Sequence, residues 1–122
     1  MSAAAAFARD HHVLLLRHEP SGICVDLILA SLPFEQAALD SSVDVENQGV
    51  RVRVARPEDL IIYKLVAARP RALDDAEALL IAHGERIDHA RLRRIVGEFA
   101  EGIEDPGRAD VLEGMLARTG RA

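Results

Sequence analysis

The spacing of apolar positions changes partway along the chain. Up to about residue 54 they alternate or form short blocks, and from Pro57 onward they recur with helical spacing. "VLLLR" (13–17) and "ICVDLIL" (23–29) flank "HEPSG", whose Pro and Gly mark a turn, so the two segments predict a β-hairpin. "LPFEQAAL" (32–39) predicts a short helix with Pro33 in its first turn, where a missing N–H does no harm. A second hairpin follows: "VDVE", a turn at "NQG", then "VRVRV". Its alternation puts Val43, Val45, Val50, Val52 and Val54 on one face. Asp44, Glu46, Arg51 and Arg53 share the other, acid facing base, which reads as a solvated, ion-paired surface.

Four helical segments come next. "PEDLIIYKLVAAR" opens with Pro and two acids, residues that suit a helix N-terminus. "DDAEALLIAHG" ends at Gly84, "DHARLRRIVGEFAEG" takes Asp88 as its N-cap, and "DPGRADVLEGMLARTG" starts at Asp105 or Asp110. The expected class is therefore α+β: two hairpin-like strand pairs (about 12–54) forming a small mixed sheet, then about four packed helices (about 57–119). All of residues 1–122 are expected in a single domain.

Composition narrows the choices. Apolar residues make up 49% of the 122 positions, with no Trp, three Phe and one Tyr, so the core has to be built from Leu, Val, Ile and Ala. A net charge of −5 argues against a general nucleic-acid coat or a membrane-surface role, both of which need a positive field, and leaves room only for a local basic site. A single cysteine, Cys24, rules out an intramolecular disulfide and suits a reducing cytoplasm. The opening "MSAAAAFARDHH" lacks the basic region and apolar length of a signal peptide. No stretch reaches the roughly 20 apolar residues of a membrane helix, so a soluble cytoplasmic protein is expected.

Two polar residues interrupt apolar runs. Asp26 sits among Ile, Cys, Val and Leu, where an ionised carboxylate is costly unless paired. An even-length turn would place Arg17 opposite or diagonal to it on one face; otherwise Asp26 is left for a metal or substrate. Lys64, the only lysine against fourteen arginines, interrupts the run from Leu60 to Ala68. A snorkelling stem explains it, and Arg69 and Arg71 just beyond could grip phosphate oxygens or simply decorate a helix end. The histidines carry little: His11 and His12, read as neighbours in a strand, point to opposite faces. No Cys/His spacing suits zinc, and there is no P-loop, G-x-G-x-x-G or G-x-S-x-G.

"VLLLRHEPSGICVDLILASLPFE", "VRVRVARPEDLIIYKLVAARPRALDDAEALL" and "IDHARLRRIVGEFA", in that order, resemble the C-terminal two thirds of a nucleotidyltransferase-superfamily protein. The group most similar is that of bacterial abortive-infection (AbiEii-type) toxins, over roughly residues 7–118. The resemblance implies a polymerase-β-like fold in which strand carboxylates hold Mg²⁺. A nucleoside triphosphate then gives up its nucleotidyl group to an acceptor (RNA, protein or small molecule), in a setting of toxin–antitoxin pairs or phage defence. It makes Asp26 the metal-binding and catalytic carboxylate, Lys64 catalytic and nucleotide-binding, Arg69 and Arg71 nucleotide-binding, and Asp75, Glu58 and Asp59 supporting acids.

The sequence departs from the superfamily pattern at two points. No Gly-Ser turn and Asp-x-Asp pair precede Asp26, and Ala72 stands where the group has an acid. The chain thus looks like the superfamily without its N-terminal catalytic half, and a lone aspartate cannot bridge two metal ions. The competing expectation is a non-catalytic interaction module that binds a partner protein. In either case an uncovered sheet predicts self-association or dependence on a partner.

Overall fold

The structure, a computed structural model, describes residues 2–120. It is an α+β chain that divides into two compact units, the first reaching Ala37 and the second beginning at Ala38.

The first unit opens with helix α1 (Ala3–His11), which the sequence reading left without structure. Its cause is local: alanine has the highest helix propensity, and the Ser2 hydroxyl caps the N-terminus by accepting from the Ala5 N–H at 3.1 Å. The expectation that His11 and His12 lie in a strand is thereby corrected. His11 ends the helix, stacked on Phe7 with ring centroids 4.1 Å apart, and His12 is its left-handed cap. Strands β1 (Val13–Arg17) and β2 (Cys24–Ile28) then pair antiparallel. Helix α2 (Pro33–Ser41) leads on into the second unit. Its start is held by Glu35, whose Oε2 accepts from the Ser31 and Leu32 N–H groups at 2.8 and 2.9 Å.

In the second unit, strands β3 (Val43–Asn47) and β4 (Val50–Val54) form another antiparallel pair. Gln48 and Gly49 both have positive φ (51° and 79°), the geometry of a two-residue type I′ hairpin turn, whose twist matches the strands. The two strand pairs are separate two-stranded sheets among the described residues, not the single mixed sheet expected. Hairpins are encoded locally by turn residues, whereas pairing between hairpins is not.

Four helices follow: α3 (Pro57–Ala67), α4 (Pro70–His83), α5 (His89–Gly102) and α6 (Gly107–Arg118), with a single 3₁₀ turn at Gly84–Arg86. Helix α3 packs against α4, α5 and α6. The core is aliphatic, as the composition required: Ile61, Ile62, Leu65, Leu80, Leu92, Val96, Leu112, Met115 and Leu116 are buried. Arg108 reaches from α6 to the Leu65 and Val66 carbonyls, 2.8 Å each, and so caps the end of α3.

Candidate functional site

The residues singled out in the sequence fall in different places. Asp26 lies in the first unit, in the middle of β2. That strand is exposed along its whole length, so the carboxylate stays in water. In the observed register Leu15 is opposite Asp26 and Arg17 is opposite Cys24. Arg17 therefore shares a face with Asp26, one diagonal step away, and no ion pair joins them among the described residues. The anticipated burial of this carboxylate is corrected: an apolar run signals β propensity here, not a buried strand. Arg17→Met is accordingly expected to change unfolding free energy by less than about 1 kcal/mol in urea titration, because it leaves no buried charge behind.

The other candidates belong to the second unit, four of them around the corner between α3 and α4. Pro70 creates that corner. It forces Arg69 into extended backbone (φ −76°, ψ 148°), which cannot continue α3, and itself occupies the first position of α4. Ala68 ends α3 in left-handed geometry, its N–H bonded to the Lys64 carbonyl. The chain reverses within a few residues, and Lys64 in the last turn of α3 meets Asp75 on α4, Nζ to Oδ2 2.8 Å. The pair is partly exposed. The hydrogen bond from Lys64 holds the Asp75 carboxyl below its ordinary pKa; partial desolvation opposes this, and the charges of Lys64 and Arg71 reinforce it. A depressed folded-state pKa contributes stability above the unfolded carboxylate's pKa and loses it as pH falls through the folded value. Lys64→Met should therefore raise the Asp75 titration midpoint, read from its side-chain carboxyl carbon by NMR. A midpoint that does not move would mean the ion pair does not persist in solution.

Arg69 and Arg71 are exposed at the start of α4, whose first turn contains no acid. Neither forms an ion pair among the described residues, and both add to the positive end of the helix dipole. The corner thus presents two exposed guanidinium groups beside the Lys64–Asp75 pair, an arrangement suited to an anion with several oxygens.

Glu58 and Asp59 occupy the first turn of α3, and both are buried. Asp59 is tied down: Oδ1 accepts from Arg91 Nη1 at 2.6 Å and Oδ2 from the Ser41 hydroxyl at 2.7 Å, while Arg91 Nη2 donates to the same hydroxyl at 3.3 Å. That network joins the end of α2 to the starts of α3 and α5. The sequence reading missed Arg91, Ser41 and Arg108. Arg91 lies far along the chain from Asp59, and no local periodicity pairs them; the only signal was an arginine three residues after the Asp88 cap.

The fit of a metal can be judged from the donors present. Among the described residues no three His, Cys, Asp or Glu side chains gather where they could hold an ion. A lone exposed Asp26 does not match the donor set of a Mg²⁺ pair.

A family model described as "Nucleotidyl transferase of unknown function (DUF2204)" matches residues 12–105. Comparison with curated proteins and with solved structures finds no match.

Proposed function

Because the chain belongs to this nucleotidyl transferase family, we propose that it serves nucleotidyl transfer by holding the triphosphate of a nucleoside triphosphate at the α3–α4 corner. In such a reaction an acceptor oxygen attacks the α-phosphorus, the bond to the β-phosphate oxygen breaks, and pyrophosphate leaves. Arg69 and Arg71 grip the phosphate oxygens, and Lys64 shifts between Asp75 and phosphate. The observation that carries this reading is the pair of exposed arginines flanking Pro70, neither in a salt bridge among the described residues, next to a lysine held by a single partly exposed carboxylate. Mg²⁺, the cofactor the family resemblance implies, would need carboxylates from a partner chain, since no group of three metal-binding side chains gathers among the described residues. The acceptor is RNA, a protein or a small molecule, and the likeness to abortive-infection toxins extends the proposal to toxin–antitoxin or phage-defence biology in the cytoplasm.

The test is displacement of a fluorescent nucleoside triphosphate. Triphosphate should compete better than monophosphate, and Arg69→Ala with Arg71→Ala should weaken binding at least tenfold. Equal competition by mono- and triphosphate, or an unaffected double variant, would remove the corner from the reading.

A second reading, an interaction module, is favoured by a separate observation. Leu16, Val25 and Leu27 in the first hairpin and all five valines of the second are exposed. Such surface suits a protein partner or a second copy of the chain.

A further inference from the structure

Helices α5 and α6 meet at a groove of roughly 420 Å³ lined by Gly97, Ala100, Glu101, Glu104, Pro106 and Ala109. Its surface is mainly apolar, and its only charged lining residues are two glutamates. Neither glutamate side chain forms an ion pair or hydrogen bond among the described residues, and both are exposed. The negative end of the α5 dipole falls on the same spot, since α5 stops at Gly102. Arg108, adjacent in sequence to the lining residue Ala109, is engaged by Asp105 and by the α3 carbonyls.

Two of the lining residues oppose the local preferences of the fold. Helix α5 ends in a Schellman motif: the Asp105 N–H bonds the Ala100 carbonyl at 2.9 Å, and the Glu104 N–H bonds that of Glu101 at 3.1 Å. Glu104 therefore occupies the left-handed position (φ 54°), where glycine is the favoured residue. Conversely, Gly97 stands inside α5, where glycine weakens a helix, and a Cβ added there would meet nothing within 4 Å. Local stability would be better served by exchanging these residue types: glycine at 104 and a larger residue at 97. Departures of this kind concentrate at functional surfaces.

We propose that this groove docks an arginine or lysine side chain from a partner protein. The apolar floor over Gly97, Ala100, Pro106 and Ala109 takes the methylene stem, and Glu101 and Glu104 take the charged head. Nucleic acid is disfavoured, because its phosphates would face two carboxylates and a helix C-terminus. The groove is open to solvent, so a free small amine would bury little surface there, and the cation arrives on a larger body that supplies the remaining contact.

The test uses the full chain and a displayed library of random twelve-residue peptides. Enriched peptides should carry Arg or Lys, and their binding, read by fluorescence anisotropy, should weaken with added salt. Glu101→Gln with Glu104→Gln should reduce affinity at least tenfold. Gly97→Leu, which fills the groove from an open position, should do the same without lowering the melting temperature. Glu104→Gly should raise the melting temperature while weakening the peptide. Failure to enrich any peptide, enrichment of peptides lacking basic residues, unchanged affinity in the glutamine or leucine variants, or a lower melting temperature for Glu104→Gly would each overturn the proposal.

Discussion

Arg91→Met is expected to cost about 3–5 kcal/mol of unfolding free energy, because it strands a carboxylate that has almost no access to water. Asp59 is 1% exposed, and the Arg91 side chain that neutralises it is 18% exposed. The Ser41 hydroxyl satisfies the other carboxylate oxygen but carries no charge. Removing both charged groups together, in Asp59→Asn with Arg91→Met, should cost less than the single change, since no buried ion is then left unpaired. Urea titration followed by circular dichroism measures both. A loss below about 1 kcal/mol for Arg91→Met alone would show that water reaches Asp59 and that the network linking α2, α3 and α5 is not a structural anchor.

The isolated chain is also expected to self-associate as its concentration rises. The second hairpin alone exposes Val43, Val45, Val50, Val52 and Val54 by 38% to 61%, all on one face. In the first, Leu16, Val25 and Leu27 are more than 40% exposed on one side of the ladder. Each strand pair also has two edges whose backbone groups pair with no other strand among the described residues. Sedimentation velocity over a hundredfold concentration range should show the average mass increasing. Val45→Lys with Val52→Glu puts opposite charges at directly facing positions, which preserves the cross-strand pair while making the face polar. That double variant should shift association to at least tenfold higher concentration. A single monomeric species at every concentration would mean these faces are tolerated exposed, and the interaction-module reading would lose its basis.

How far the sequence foretold this structure depends on whether the signal was local. Strands β1 and β4 begin and end at the residues their apolar blocks suggested, and the "NQG" turn folds as its glycine requires. Pro57 and Gly84 punctuate the helices as their missing N–H or permissive backbone dictates, whereas α4 begins at Pro70, ahead of the "DDAEALLIAHG" segment that predicted it. Helix α1 was legible too, in Ser2 followed by four alanines, but that segment was weighed only as a targeting signal. Non-local features were hidden. Nothing in "VDVE" or "VLLLR" says whether the hairpins share a sheet, and nothing near Asp59 points to Arg91.

The site residues divide along the same line. The Lys64–Asp75 pair follows from helix spacing across the corner that Pro70 makes, so the lysine's partner was within reach of sequence reasoning. Asp26 was misjudged as a buried charge because its neighbours are apolar, yet β2 is exposed on both faces. Glu58 and Asp59 were correctly seen as first-turn acids of a helix. Their burial depends on tertiary packing that no local pattern reports.

The proposal that the chain grips triphosphate through cations, without itself assembling the metal pair, is tested most directly by calorimetric titration of ATP with and without Mg²⁺. Weak binding is expected, with Kd roughly millimolar (about −4 kcal/mol), since only a few exposed charges contribute. It should be no tighter with Mg²⁺, which offsets charge on the ligand, and Asp26→Ala should leave it unchanged. Micromolar binding that requires Mg²⁺ and disappears in Asp26→Ala would contradict this, placing a working metal site on β2.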